Sequence, residues 1–518
     1  MSASRTSTGA STARGLLVAF LLAVLLPTSA ALAQQPFDKL GAYAEMRTIA
    51  AELEALRGAA ATEESALRDT ELRARFAQLQ SAMGGDDPTR MYEANASRPT
   101  PAPGALRGSG PTPPPGMTVA TTSATNSTPT PIADVAVSTS TITIAGAGTY
   151  LWDVDLTTSI QHTFAADMDI TLTSPAGTVV TLSTDNGAGN DNVFDGTFWD
   201  DDANPAGAVP YTTNNGVVTD HVYVNLTTAT PLVAEEALGA FRGENPNGTW
   251  TLTVSDDLSG DTGSINAWTL DVFTFTAGPT PTTTPFTNST PTPIADVAVS
   301  TSTITVAGAG TTITDIDLVG GITHTFAADM DITLTSPAGT VVTLSTDNGA
   351  GNDNVFSGTT WNDSANPAGA VPYTTNNGVT TDHAYVNLTL ATPLVAEEAM
   401  SAFVGENPNG TWTLSVSDDL SGDIGSIDGW SLAITTGVAP CTITCPANVT
   451  QSNDPNQCGA VINYPAPTAS AGCGTVTCTP AAGSFFPVGT TTTTCNTTAG
   501  PSCSFTNTVN DTQPPTTV

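Results

Sequence analysis

The side chains with the greatest capacity for chemistry in this sequence are carboxylates and amides crowded into short turns. Asp and Glu number 48 against 12 Lys and Arg, a formal net charge of −36. Eleven residues of each sign lie up to Arg107, so the remainder of the chain sets 37 acids against the single base Arg242. Asp185 to Asn192 (DNGAGNDN) is an oxygen-dense loop, Asp256-Asp257 and Asp261 form an acidic turn, and Asp167 and Asp169 share one face of an alternating segment. Ca²⁺ is a hard cation that takes six to eight oxygens from carboxylates, amides and backbone carbonyls. Calcium is therefore the expected cofactor, with Asp167, Asp169, Asp185, Asn190, Asp191, Asp256, Asp257 and Asp261 as candidate ligands. The spacing is not that of an EF-hand loop, and ordinary turn-forming by Asp and Asn is the competing reading. Other chemistries find less support. The four histidines, His162, His221, His324 and His383, lack the i, i+4 spacing of a helical zinc pair, and no Gly-rich loop opens a helix. So acidic a chain repels nucleic acid and anionic lipid.

These residues sit in a module that occurs twice. His162 to Phe194 returns unchanged as His324 to Phe356, an offset of 162, and similarity continues from Asn126/Asn288 to Trp268/Trp430. A fixed long period means one structural unit present more than once. The candidate ligands recur as Asp329, Asp331, Asp347, Asn352, Asp353, Asp418, Asp419 and Asp423, whereas Asp195, Asp200 and Asp202 become Ser357, Asn362 and Ser364. Those three are accordingly poor choices for essential ligands. Within the unit, Asp167 to Thr173 alternates polar and apolar residues, the period of a half-buried strand. Ser174-Pro175-Ala176-Gly177 is a turn and Val179 to Leu182 resumes a strand. Thr249 to Ser255 alternates again, and Ile265 to Val272 gives a last strand. Hairpins with one apolar face each bury it by stacking two sheets.

The motifs HTFAADMDITLTSPAGT, NGTWTLTVSD and GDTGSINAWTL resemble the P domain (Homo B domain) of proprotein convertase and kexin-type subtilisin-like serine proteases. The resemblance implies a jelly-roll β-sandwich that supports a neighbouring protease, with His162 and His324 in structural places. The stretch Asp195 to Phe241 is longer than that pattern expects. A subtilisin-like protease needs an Asp, a His and a Ser brought together; the His-Gly-Thr and Gly-Thr-Ser-Met signatures around them do not occur. No catalytic residue is assigned. A second resemblance, to the hyalin repeat (HYR) domain, rests on CPANVT at 445–450, QCGAV at 457–461, Asn463-Tyr464 and GSFFPVGT at 483–490. It implies an immunoglobulin-like sandwich linked to extracellular adhesion. The usual Asp-Ala-x-Gly-Asn before the last cysteine is replaced here by Asn496 to Pro501.

Compartment follows from both ends. Arg5 and Arg14 precede the apolar run Gly15 to Pro27, with Ala31-Leu32-Ala33 as a cleavage site, the pattern of a secretory signal peptide. All seven cysteines, Cys441, Cys445, Cys458, Cys473, Cys478, Cys495 and Cys503, lie in the last quarter and read as disulfide partners, with at least one left over. The expected layout is signal peptide 1–33, helical segment 34–95, Pro-rich linker 96–120, module 121–277, Pro/Thr linker 278–287, module 288–436, and HYR domain with a truncated tail 437–518. In the helical segment Glu64/Arg68 and Glu71/Arg75 are spaced for i, i+4 pairs, and residues 38–83 are a candidate for self-association. The chain is thus expected to be mostly β, with two tandem jelly-roll sandwiches and an immunoglobulin-like one. It is expected to be secreted or on the cell surface with no membrane span. The expected role is non-catalytic binding or scaffolding toward an extracellular protein or glycan. The alternative is an accessory part or fragment of a subtilisin-like serine endopeptidase system, with a protease domain in trans.

Overall fold

The structure, a computed structural model, describes residues 110–205, 215–219, 223–365, 378–381 and 385–513, together with Arg68 and Arg75. Both of these arginines are α-helical; the rest of the segments read as signal peptide and helical region lies outside the described residues.

Alternation of β-branched and polar residues drives the first module. Its strands are β1 (Ala120–Asn126), β2 (Thr130–Ile132), β3 (Val137–Ile144), β4 (Tyr150–His162), β5 (Met168–Thr173), β6 (Val179–Ser183), β7 (Asp195–Trp199), β8 (Gly216–Val217), β9 (Leu232–Val233), β10 (Gly248–Asp256) and β11 (Gly263–Phe275). One sheet has the order β1-β11-β4-β7-β9-β8, with β2 also on β11; the facing sheet has the order β3-β10-β5-β6. In β3 and β10 every second side chain is buried. The β5–β6 connection is the expected turn: Gly177 N–H donates to Ser174 O at 3.0 Å and Gly177 has φ +93°, which a side chain would resist. Between the sheets lie Trp199, Trp250, Trp268, Phe194, Phe241, Leu252 and Ile170, all at most 1 % exposed. Each indole is satisfied: Trp250 Nε1 donates to Pro246 O at 2.9 Å, Trp268 Nε1 to Ser140 Oγ at 2.9 Å, and Trp199 Nε1 to Thr158 Oγ1 at 3.0 Å.

The second module repeats this with β12 (Thr280–Asn288), β13 (Thr292–Ile294), β14 (Ala298–Val306), β15 (Ile313–His324), β16 (Met330–Thr335), β17 (Val341–Ser345), β18 (Ser357–Trp361), β19 (Gly378–Val379), β20 (Leu394–Val395), β21 (Gly410–Asp418) and β22 (Gly425–Val438). Sheet orders are the same, β12-β22-β15-β18-β20-β19 and β14-β21-β16-β17. Two differences matter. Thr158 is replaced by Gly320, and Trp361 Nε1 is left buried without a partner. Residues 278–287, read from composition as a linker, instead supply most of β12, paired along its length with β22. β12 is an edge strand, where proline on the solvent-facing side costs no ladder bond. Pro281 and Pro285 share one parity of that strand.

After Val438 the last unit has β23 (Ile443–Thr444), β24 (Val449–Ser452), β25 (Gly459–Ile462), β26 (Thr468–Ala469), β27 (Val476–Thr479), β28 (Ser484–Pro487), β29 (Gly489–Thr497) and β30 (Ser502–Asn510). A four-stranded sheet β24-β30-β29-β27 faces the pair β25-β28 around Ile462, Tyr464, Phe486 and Phe505. Three disulfides, Cys441–Cys473, Cys445–Cys503 and Cys478–Cys495, supplement that small core, and Cys458 is the exposed free thiol. Among the described residues no helix is long and apolar enough to cross a membrane.

Candidate functional site

Several acids of module 2 gather near one end of its sandwich, where three chain segments end. In module 2, β15 ends at His324, the turn Ala327–Asp329 leads into β16, and β21 ends at Asp418. His324 is 1 % exposed; its Nδ1 lies 2.7 Å from Phe326 O and its Nε2 3.2 Å from Asp418 Oδ2. In module 1, His162 makes the same contacts to Phe164 O at 2.7 Å and Asp256 Oδ2 at 3.1 Å. These histidines tie one strand end to another, the structural role expected of them. His221 and His383 lie outside the described residues.

Around His324 the acids press on one another. Asp329, Asp331 and Asp418 are each at most 5 % exposed. Burial, then the charges of Asp423 and Asp418, pushes the Asp329 carboxyl up to about 7. Asp347 is held well above the usual range by burial and by Asp331, Asp419 and Glu397. Burial also raises Asp418 and Asp419. Asp418 Oδ1 and Asp419 Oδ1 are buried with no hydrogen-bond partner, as is Asp256 Oδ1 in module 1. Asp423 sits at the rim, accepting from Thr325 Oγ1 at 2.8 Å, and Asp261 does so from Thr163 Oγ1 at 2.7 Å. The acids thus form two adjoining groups: Asp331 and Asp419 press on Asp347, while Asp418 and Asp423 press on Asp329, and because Asp418 pairs with Met330 and Asp331 with Ser417, their side chains leave opposite faces of the sheet.

The other two positions brace the loop. Asn352 Nδ2 donates to Gly349 O at 2.8 Å and Tyr385 O at 3.2 Å, and Asp353 N–H donates to Asn387 Oδ1. Asn190 and Asp191 do the same with Gly187 O, Tyr223 O and Asn225 Oδ1. Sequence reading missed Glu397 and its twin Glu235. Glu235 receives Thr184 N–H at 2.6 Å and Thr184 Oγ1 at 2.9 Å, closing the loop that carries Asp185. Their presence in both copies was the available signal. Asp185, Ala188 and Asn192 all have φ between +51° and +58°, a backbone that folds the loop onto this end. Among the described residues, no three or more His, Cys, Asp or Glu side chains stand in an arrangement that could already hold a metal ion.

A second acidic group, of which Asp200 and Asp202 were set aside in the sequence because they change between copies, lies on β4 and after β7. Asp155 stands beside Asp271 in the β4–β11 ladder, and Leu156 pairs with Trp199, which precedes Asp200. Burial and the neighbouring Asp153, Asp200 and Asp202 push Asp155 up to about 10. Asp200 rises to about 8 and Asp153 to about 7, in each case by burial and then by Asp202. Asp155 Oδ1 and Asp200 Oδ2 are buried without partners.

The described chain is thus two β-sandwich modules, each with a histidine-anchored acidic end, followed by a disulfide-bonded sandwich. In family terms, residues 151–272 and 313–434 are two tandem proprotein convertase P-domains, and residues 437–509 are a HYR domain. Among solved structures, similarity extends to a serine protease of Aeromonas sobria (19 % identity, 35 % of this chain and 29 % of that one, TM-score 0.19). It also extends to the same protease in complex with its chaperone (19 %, 36 % and 29 %, 0.20). PNGase F of Flavobacterium meningosepticum is matched at 11 % identity over 61 % of this chain and all of its own, TM-score 0.19. The chain spans less than a third of the length of the two Aeromonas structures. No curated protein matches.

Proposed function

We propose that the chain is an exported, non-catalytic binding scaffold whose two P-domain modules are each stiffened by a calcium ion at the histidine-anchored end. The observation that carries the reading is the pair of orphaned oxygens, Asp418 Oδ1 and Asp419 Oδ1, both buried within the field of Asp329, with Asp347 on the Asp419 side. A buried carboxylate needs a compensating charge. Arg242 is the only base after Arg107, and a hard divalent cation fits an all-oxygen set. The HYR domain and its disulfides suit an extracellular setting, where an adhesion partner, protein or glycan, would be met. Calorimetric titration of the full chain with CaCl₂ after chelation tests the cation, with two sites expected and no heat of binding as the refuting result. Zymography on casein tests the non-catalytic half of the reading, which clear, purification-resistant hydrolysis would overturn.

The P-domain match favours a second reading, an accessory part of a subtilisin-like serine endopeptidase system. It predicts that the chain captures a protease domain encoded beside it.

A further inference from the structure

The two modules meet through twin residues. Asp201 accepts from Leu238 N–H at 3.0 Å and Gly239 N–H at 2.7 Å; its twin Asp363 accepts from Met400 N–H at 2.9 Å and Ser401 N–H at 2.7 Å. Each carboxylate caps the short 3-10 turn of its own module, Leu238–Phe241 or Met400–Phe403. Across the seam, Ser401 Oγ donates to Asp201 Oδ2. In return Gly239 lies against Ser401 and Asp363: a Cβ placed on it would come 2.9 Å from Ser401 Oγ and 3.1 Å from Asp363 Oδ2. Position 401 thus touches 201 while position 239 touches 363, the reciprocity that a two-fold axis imposes. Beside the axis a separate buried apolar cluster holds Val217, Val233 and Ala237 with Val379, Val395 and Ala399, three twin pairs each at most 1 % exposed. Asn204 Nδ2 adds bonds to Val341 O at 2.8 Å and Glu398 Oε2 at 3.0 Å. Two twin pairs of these turns differ, Leu238/Met400 and Gly239/Ser401; of the two, Gly239/Ser401 lies at the axis, where a Cβ on residue 239 would stand 2.9 Å from Ser401 Oγ.

We infer that this face of the module is a homotypic docking surface: the partner it fits is another copy of the same module, and the chain folds as a covalently joined two-fold pair. The pair then presents its two equivalent ends in one fixed orientation, so that a repeated ligand is engaged twice with the second step made intramolecular. Away from the axis the seam is not symmetric, since Trp152 and Phe275 of module 1 pack into the core cluster of module 2.

The test is a residue exchange across the axis in the full chain, read by hydrogen exchange at residues 237–241 and 399–403. Gly239→Ser installs the residue module 2 carries at the equivalent position, and the three atoms nearest a Cβ there belong to module 2. Exchange at both segments is expected to accelerate about tenfold or more. Ser401→Gly removes the bond to Asp201 and is expected to accelerate it about tenfold, the scale of one hydrogen bond to a charged group. The double exchange Gly239→Ser/Ser401→Gly rebuilds the seam with the roles reversed and is expected to return rates to within about twofold of the wild type. A silent Gly239→Ser would overturn the packing, and a double variant no better than Gly239→Ser would overturn the two-fold relation.

Discussion

Raising the pH from 5 to 7 in the presence of a chelator should destabilise this protein, the reverse of ordinary acid denaturation. Folded-state carboxyls stand at about 10 for Asp155, about 8 for Asp200, and about 7 for Asp153, Asp363 and Asp329. An unfolded Asp titrates near 3.9. Between those values the folded chain keeps a proton that the unfolded chain has released, so stability falls as pH rises. Once the pH passes the folded value the loss is complete. Each retained proton costs about 1.4 kcal/mol per pH unit. Neighbouring carboxyls share protons, so we count one for the seam and one for the end of module 2. That gives about 3 kcal/mol per unit and about 5 kcal/mol from pH 5 to 7. At 2–4 °C per kcal/mol for units of about 150 residues or more, the melting midpoint should drop by about 10 °C or more. Differential scanning calorimetry in EDTA at pH 5, 6 and 7 measures it. Asp200→Asn, which copies Asn362 of module 2, should flatten the slope. A midpoint that is level or climbs over this range refutes the reasoning.

Trp250 is fully buried, bonded to Pro246 O and edge-on to Phe241 at 5.1 Å, so Trp250→Ala should cost about 3–5 kcal/mol in urea unfolding of module 1. Paired Cys445→Ala/Cys503→Ala substitution opens a loop of separation 58 and should cost the HYR domain about 4 kcal/mol by the chain-entropy relation, visible as a lower denaturation midpoint. A thiol reagent applied without reductant should add one label per chain, at Cys458, as read by mass spectrometry.

Much of this architecture could be read before any coordinates, because alternation is strong in β3, β5 and β10 and the repeat displays each strand twice. The acid-rich ends were visible too, though strand phase turns Asp331, paired with Ser417, away from Asp418, paired with Met330. Asn352 and Asp353 were not, since a turn's internal hydrogen bonds leave no period in the sequence. The β12 segment was misread because Pro and Thr together signal a spacer, whereas an edge position removes the penalty on Pro and leaves the strand preference of Thr. Asp200 and Asp202 were set aside on the rule that twin positions must agree, a rule that contacts made by only one copy can break.

The same β12 edge bears on crowding. Pro281 and Pro285 sit at alternate positions of one parity along β12, paired with Gly437 and Ala433, so the rim of that sheet offers fewer N–H donors to a passing strand. β1, the equivalent rim in module 1, reads Ala-Thr-Thr-Ser-Ala-Thr-Asn and has no proline. Of these two rims, Ala120–Asn126 is therefore the one more open to pairing with a strand of another molecule when the protein is concentrated, and a proline at an outward-facing amide there would bring it closer to the rim of module 2.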